Sequence, residues 1–453
     1  GARDVLLSMS TGADGPVSGT RVRGCVPRSV ARLDAASVRM RGQLGLPADR
    51  PVIMAGHQAE WWHPGIVAKI FAARALAEHT GGVVAWVVVD QDDNDPGVIR
   101  VPVVRDGGTV APAEIRFAGE SHAATGWRGP LAVGAAPLVA IASASAERGV
   151  ARMVEAMQRH AGESSVARQV TRGAFEVLGG SAPVDCVVYA SQIARTDAWA
   201  MLVERMRTDP RACAAAYNGA VRDAGVAGLV PMGEDGARGR WELPVWSIDG
   251  SGARSRVWSD AMAAMDASEV HPRALAMTAV LRMHACDAFV HGVGGYAYDA
   301  AMEAWVKAWA GAGVAPMALA TADVFLPMGG GASSEGEAAR ASARAHRARH
   351  DPRMLGEDAL GARKMALVER IAADRAAGRD AGAGYAEMQS VLAAYRESHA
   401  RELREAEARA EAAQRSYRAS RAAVRARDWP FPLYEDAALR GMGEAVPAVR
   451  MSW

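Results

Sequence analysis

Short apolar runs separated by amphipathic stretches dominate the pattern of this chain. The run at 52–55 breaks into a dense polar and aromatic segment at 56–65, apolar residues at helical spacing predict a helix at 66–79, and 83–89 predicts another buried strand. The order strand, loop, helix, strand is typical of a parallel α/β sheet, in which ligands bind beyond the carboxyl ends of the strands. The loop at 56–65 and the acidic run at 90–95 are therefore expected to face one crevice.

Strands, helices and polar turns are also predicted further along the chain. Alternation at 101–117 predicts a hairpin, 240–258 predicts a β-hairpin inserted into the sheet domain, and 183–190 predicts a core strand that runs into Ser191 and Gln192. Helices are predicted at 29–44, 146–161, 165–178 and 196–209, and a strand at 287–291 leads into a glycine-rich turn and a helix that ends near residue 310. Ser191 and Gln192 would add a third polar loop to the crevice.

The composition changes near residue 361, where arginine, glutamate and alanine dominate and apolar residues become sparse but periodic. Two long helices joined near 378–384 fit this pattern as an antiparallel coiled-coil arm, and a solvated helix pair packed on the core is the open alternative. The predicted organisation is an N-terminal lead-in at 1–50, a Rossmann-like core at 51–360 with inserted β-hairpin and helical segments at about 100–285, the coiled-coil arm at 361–428, and a C-terminal tail at 429–453 that packs aromatic residues on the core.

Composition narrows the class of protein. The 453 residues carry 52 basic and 51 acidic side chains, so no overall field attracts nucleic acid or an anionic membrane, and small molecules are the expected partners. Four scattered cysteines lack the spacing of a metal site and are expected to be reduced thiols. Because we find neither an apolar stretch of the roughly 20 residues that span a bilayer nor a signal-like start, we expect a cytoplasmic protein.

The loop after the first strand and the helix that follows carry candidate anion ligands. The helix start at Gly65 offers backbone amides and a favourable dipole, and His57 or His63 would add charge-assisted hydrogen bonds to a phosphate or carboxylate. Gln58 and Lys69 would reach the same substrate group. The alternatives are that these side chains satisfy buried backbone and that Lys69 is an ordinary surface lysine.

The acidic run at 90–95 places four carboxylates within six residues at the end of a hydrophobic strand. Mutual repulsion would destabilise such a cluster unless it shares a cation, an amine or a proton. We expect Asp90 and Asp93 to be catalytic together with His57, and Asp95 to bind substrate. A divalent metal held by oxygen ligands and a plain solvated loop are the alternatives, and no metal ligands are assigned.

A glycine-rich turn and an arginine complete the set of candidate residues. Gly292, Gly294 and Gly295 follow a predicted strand, so their backbone is expected to contact a ligand near Tyr298. Arg273 is a candidate for bidentate binding of a carboxylate or phosphate, with an ordinary ion pair as the alternative.

In motif order, these residues resemble the bacillithiol biosynthesis cysteine-adding enzymes, and more closely a divergent branch of that family. The resemblance rests on Gly56-His57-Gln58, Pro64-Gly65, the strand and acidic run from Trp86 to Asp95, the segment Pro272-Arg273-Ala274-Leu275, the turn with Gly292, Gly294 and Tyr298, and a terminal coiled coil. The chain departs from the family pattern at His57, at the inverted Pro64-Gly65 order, at Asp92 in place of a histidine and at Gly295 in place of a glutamate.

The resemblance implies a nucleotide-binding-like Rossmann core with inserted connecting elements and a coiled coil that forms a homodimer. It also implies a reaction that joins cysteine to malyl-glucosamine through an amide. The sequence leaves the cofactor open: a nucleotide is one candidate for such a core, but the chain lacks a lysine-rich signature loop of the synthetase type, so activation by ATP is not supported.

Three functional hypotheses follow. The first is a ligase-like enzyme that condenses a small amine or thiol with a carboxylated acceptor. The second is a glycosyltransferase whose aspartate cluster binds a divalent metal and, through it, a nucleotide sugar. The third is a non-catalytic ligand-binding oligomer built around the coiled coil.

Overall fold

The computed structural model describes residues 5–9, 18–23, 25–30, 33–105, 109–117, 119, 122–134, 139–181, 183–328 and 335–448. Its strands are β1 (Val5–Met9), β2 (Ser18–Arg23), β3 (Val52–Gln58), β4 (Val83–Val89), β5 (Val98–Val104), β6 (Val110–Arg116), β7 (Cys186–Tyr189), β8 (Glu234–Asp235), β9 (Arg240–Ile248), β10 (Arg254–Trp258), β11 (Val270–Pro272), β12 (Ala288–His291) and β13 (Met317–Asp323). Its helices are α1 (Ala35–Gln43), α2 (Pro64–Thr80), α3 (Ala144–Arg159), α4 (Val166–Leu178), α5 (Ala190–Ile193), α6 (Asp197–Thr208), α7 (Pro210–Ala224), α8 (Ser259–Met262), α9 (Ala274–Val280), α10 (Val293–Ala310), α11 (Glu335–His350), α12 (Asp358–Ala376), α13 (Gly382–Ser398), α14 (Ala400–Val424) and α15 (Asp436–Ala448).

The central sheet has the strand order β1-β2-β13-β12-β3-β4-β7, and its strands from β13 to β7 run parallel. The predicted α/β class is confirmed. Counted along the chain, the parallel strands lie in the order 3-2-1-4-5, as in doubly wound sheets, where ligands bind at the point where the order reverses. That point lies between β3 and β12.

Helices cover both faces of this sheet. Ile53 and Ala55 of β3 pack in one hydrophobic layer with α2, whereas Val52 and Met54 pack in the other layer with α10. Successive side chains of a strand point to opposite faces, so a continuous apolar run is what a strand buried on both sides requires. This double burial holds the carboxyl ends of β3 and β12 in place beside the starts of α2 and α10.

The N-terminal segment differs from the predicted loop-rich lead-in. Strands β1 and β2 extend the sheet, because β2 pairs antiparallel with β13. Helix α1 is joined to the core by a buried ion pair, in which Arg41 Nη2 lies 2.7 Å from Asp287 Oδ2 and both side chains are fully buried. The same carboxylate accepts a hydrogen bond from the Val52 backbone N–H at 2.8 Å.

The inserted segments form two small sheets beside the central one. Strands β5 and β6 pair as the predicted hairpin, and its expected turn at Gly107 and Gly108 lies outside the described residues. Strands β9 and β10 form the second predicted hairpin, which is not part of the central sheet but of a separate sheet with β8 and β11. Strand β11 leads directly to Arg273.

The C-terminal helices form two packed pairs, α11 with α14 and α12 with α13. The α11–α14 pair is antiparallel, since Gln414 Nε2 lies 3.2 Å from Ser342 Oγ and Arg349 Nη1 lies 2.6 Å from Glu407 Oε1. The connection predicted at 378–384 joins α12 to α13, but the helical region begins at residue 335 and not at 361.

The aromatic segment after α14 packs into the core. Trp429 and Phe431 are fully buried, and the Phe431 N–H donates to the Trp62 carbonyl at 2.6 Å. The Tyr434 hydroxyl donates to the Val324 carbonyl at 3.1 Å. None of the helices in the described part of the chain has the length and apolar character that a bilayer crossing requires.

Candidate functional site

A cavity of about 490 Å³ opens at the point where the strand order reverses, between the ends of β3 and β12. The predicted site residues that line it are His57, Gln58, His63, Gly65, Lys69, Arg273, Gly292, Gly294, Gly295 and Tyr298. We call this space the central cavity. Asp90, Asp93 and Asp95, which were predicted to face the same crevice, are not among its lining residues.

The start of α2 differs from the expected anion site. The Gly65 backbone N–H donates to His63 Nδ1 at 3.1 Å, so the imidazole itself caps the helix. Burial lowers the pKa of His63 to about 4, which makes the ring neutral with its proton on Nε2. A Cβ on Gly65 would lie 2.8 Å from this ring, and therefore only glycine allows the ring to approach so closely. The helix thus presents an imidazole N–H rather than a free backbone amide.

The two polar residues at the end of β3 face acidic partners. His57 Nε2 lies 2.9 Å from Glu60 Oε1, and burial lowers the pKa of His57. The Gln58 amide donates to Asp92 Oδ2 at 3.1 Å. Within the described part of the chain, Gln91 and Asp92 are the residues of the run at 90–95 that line the central cavity.

Lys69 is buried, not a surface lysine. Its side chain is 4% exposed, and its ammonium donates to the Gly56 carbonyl while lying 5.4 Å from the centre of the Trp86 ring. Burial lowers the pKa of Lys69 to about 7. A substantial fraction of this amine is consequently uncharged near neutral pH, which suits it both to proton transfer and to binding an anion.

A histidine that was not predicted as a site residue lines the cavity, and it contacts a buried aspartate. His291 ends β12 and lines the cavity, and its Nε2 lies 2.7 Å from Asp299 Oδ2 on α10. Asp299 also accepts hydrogen bonds from Arg282 Nη1 and the Thr278 hydroxyl, each at 2.8 Å. Although burial opposes ionisation, these charges and hydrogen bonds hold the pKa of Asp299 below its ordinary value.

The sequence does contain a signal for this pair. His291 is the last residue of a buried strand, and Asp299 follows eight residues later, two turns into a helix. Gly295 lies between them, where a Cβ would come 2.6 Å from His291 Nδ1. The glycine therefore keeps this nitrogen accessible from the first turn of α10, and no side chain caps that turn.

The acidic run is neutralised mainly by arginines of the inserted segments. Arg254 of β10 pairs with both Asp92 and Asp93, and Arg116 Nη1 lies 2.6 Å from Asp95 Oδ2. Asp90 is buried, and it accepts hydrogen bonds from the Ser191 backbone at 2.8 Å and the Ser191 hydroxyl at 2.6 Å. Burial raises the pKa of Asp90 to about 6. The structure thus separates the three predicted carboxylates from the central cavity.

Arg273 lines the cavity but already has an internal partner. Its guanidinium lies 3.8 Å from the centre of the Trp246 ring, and its Nη2 lies 2.7 Å from Oε1 of Glu242, a carboxylate that is 2% exposed. Tyr298 also lines the cavity, and its hydroxyl donates to the Ala227 carbonyl at 3.1 Å. Both side chains shape the wall of the cavity.

Among the described residues, no group of three or more histidine, cysteine, aspartate or glutamate side chains is arranged to hold a metal ion. A scan against models of known protein families finds no match to the chain, and a search of curated proteins finds none either.

Proposed function

We propose that the protein is an enzyme with a Rossmann-like core, and that the central cavity is its active site. The reaction we propose is ligase-like, the condensation of a small amine or thiol with a carboxylated acceptor. The observation that carries this proposal is the His291–Asp299 pair, whose histidine lines the same cavity as Lys69 and His63 at the reversal of the strand order. Such a condensation uses a general base for the attacking group, donors for the anion that develops, and a source of protons for the oxygen that leaves.

His291 is the base in this scheme. Its Nε2–H donates to Asp299, so the lone pair of Nδ1 is free to take a proton from the amine or thiol as that group attacks. Arg282 is fully buried and fixes the Asp299 carboxylate, which keeps the imidazole in the required tautomer. The base is therefore oriented before substrate binds.

The acceptor carboxyl group binds on the side of α2. His63 offers its Nε2–H, and Lys69 offers a proton that burial makes easy to release. The carboxyl group in this position accepts hydrogen bonds from both side chains while the nitrogen or sulfur attacks its carbon and negative charge develops on its oxygen. As the new bond forms, the bond from that carbon to the other oxygen breaks, and this oxygen takes the proton of Lys69 and the proton that His291 removed and leaves as water. Binding and orientation supply most of the rate in such a scheme.

A screen for condensed products tests the proposal. Purified protein is incubated with cysteine, glucosamine-type acceptors and nucleotides, and products are detected by mass spectrometry. Changing His291 to alanine is expected to lower turnover by at least about a hundredfold, as for the loss of a general base. His346→Ala, which alters an exposed histidine of α11, is the matched control and is expected to leave turnover unchanged. Equal turnover of both variants, or no condensed product from the unaltered protein, would contradict the proposal.

We further propose that helices α11 to α14 form a coiled-coil arm through which the protein is a homodimer. Met365 and Val368 support this, because they lie one turn apart on α12 and remain 39% and 37% exposed. Replacing both with glutamate is expected to halve the molar mass measured by light scattering. Val230→Glu, at an exposed position outside the helices α11 to α14, is the control and is expected to leave the molar mass unchanged. A monomeric unaltered protein would refute the dimer.

A further inference from the structure

A second cavity of about 650 Å³ lies beyond the carboxyl end of β7. Arg168 of α4, Ser191 and Gln192 of α5 and the nearby Arg195 line one side of it, and Trp127 lines another. We call this space the lateral cavity. It shares none of its lining residues with the central cavity.

Two arginines of the lateral cavity differ from those around the acidic run. Within the described residues, neither the Arg168 nor the Arg195 guanidinium donates a hydrogen bond or lies within ion-pair distance of a carboxylate, although the charge of Arg168 favours ionisation of the Asp90 carboxyl group. Arg168 is half-buried, and its guanidinium lies 4.1 Å from the centre of the Tyr189 ring. Stacking on an aromatic ring fixes the plane of a guanidinium and leaves its N–H groups for an anion.

Ser191 is held rigidly at the floor of this cavity. Its backbone and hydroxyl both donate to the buried Asp90 carboxylate. The backbone of Gly126 packs on the other side of that carboxylate, where a Cβ would lie 2.7 Å from Oδ2. With its proton engaged, the Ser191 oxygen turns lone pairs toward the cavity, where they can accept from a hydroxyl or amine of a ligand.

The rim of the lateral cavity also includes two carboxylates, Asp249 and Glu269, but part of each is already used. Asp249 Oδ1 accepts hydrogen bonds from the Ser251 and Ala253 backbones at 2.8 and 3.1 Å. Glu269 Oε2 accepts from the Asp266 backbone at 2.9 Å. These charges repel an anion from the rim, so the favourable place for it is the side with the two arginines.

The wall between the two cavities is uncharged. Gln91 lines the central cavity, and its amide lies 3.4 Å from Nδ1 of His271, which lines the lateral cavity. Burial, together with the charge of Arg195, lowers the pKa of His271 to about 4. The ring of Trp127 packs edge-to-face on this neutral imidazole at 5.2 Å.

We propose that the lateral cavity binds a small phosphorylated metabolite, with its phosphate between Arg168 and Arg195. Two guanidinium groups match the charge and the several oxygens of a phosphate dianion. The remainder of the molecule packs on Trp127 and donates to the Ser191 hydroxyl oxygen. This site is independent of the condensation proposed for the central cavity.

Calorimetric titration of the full chain at low ionic strength tests the proposal, with inorganic phosphate and adenosine monophosphate as probes and succinate as a dicarboxylate of similar charge. Both phosphate probes are expected to bind, and the double variant R168Q/R195Q is expected to weaken binding at least about tenfold. Arg172→Gln is the matched control, because Arg172 lies one turn further along α4 and pairs with Glu163 at 3.0 Å.

The outcomes separate clearly. Equal affinity of the double variant and the control, no binding of either phosphate probe, or binding of succinate alone would overturn the assignment. If the double variant fails to fold, the single variant R195Q replaces it, because Arg195 is exposed and its loss should not disturb folding. R195Q alone is expected to weaken phosphate binding several-fold. Phosphate binding that persists in His291→Ala shows that the lateral cavity acts separately from the central one.

Discussion

Lys69 should make the stability of the protein depend on pH in a direction opposite to that of a typical surface lysine. Burial lowers its pKa from 10.5 to about 7. Between these two values the unfolded chain binds more protons at this position than the folded chain does. Stability contributed by Lys69 is therefore greatest above the unfolded pKa and is lost as the pH falls toward the folded pKa.

The size of the effect follows from the shift. Each pKa unit corresponds to about 1.4 kcal/mol, so the full shift corresponds to about 5 kcal/mol. Only part of this range is accessible to measurement. Between about pH 7 and pH 9 the free energy of unfolding is expected to rise by about 2 kcal/mol through Lys69 alone. Its side chain is almost completely buried, so solvent screening reduces this value little.

Urea denaturation of the unaltered protein and of Lys69→Met across this pH range measures the effect. Methionine keeps most of the volume and removes the titrating amine, so the difference between the two proteins isolates the contribution of Lys69. Lys307→Met, at an exposed position of α10, is the control and is expected to show no such pH dependence. A difference between Lys69→Met and the unaltered protein that stays constant with pH would refute the reasoning.

Two further predictions concern the stability of the fold. Gly65→Ala is expected to lower the free energy of unfolding by about 1–3 kcal/mol, because the new methyl group meets the capping imidazole. In the control Gly42→Ala the methyl group meets no atom within 4 Å, so this change is expected to stabilise α1 by about 0.5–1 kcal/mol. Equal changes in the free energy of unfolding of the two variants, measured by calorimetry, would disprove this. Arg41→Ala is expected to lower the free energy of unfolding by about 3–5 kcal/mol, because it leaves the Asp287 carboxylate buried and unpaired. Arg39→Ala removes an exposed ion pair and is expected to lower it by less than about 1 kcal/mol, as measured by chemical denaturation. An Arg41 variant as stable as the Arg39 variant would contradict the assigned role.

Local pattern was sufficient to predict the parts of the fold that are buried on both sides. The strands β3 and β4 are short, continuous apolar runs, and α2 between them has a start and an end marked by Pro64 and Gly81. Helix α11 was missed because its buried stripe consists of alanines, such as Ala338, Ala345 and Ala348, which carry almost no hydrophobic contrast. Strand β2 was missed because it lies among polar residues near the edge of the sheet.

Local pattern also predicted the candidate site only in part. The rule that polar loops follow parallel strands located His57, His63 and Lys69 beside one cavity. It could not show that Asp93 and Asp95 form ion pairs outside this cavity. Their partners Arg254 and Arg116 belong to two inserted hairpins, which lie in other segments of the sequence. Long-range ion pairs leave no periodic signal.

The acidic run at 90–95 contacts both cavities. It forms a turn after β4, in which Asp90 accepts hydrogen bonds from Ser191, a residue of the lateral cavity, while Asp92 lines the central cavity. Gln91 lies between them and contacts His271 of the dividing wall. The two cavities thus meet at a single strand end, although different side chains line them.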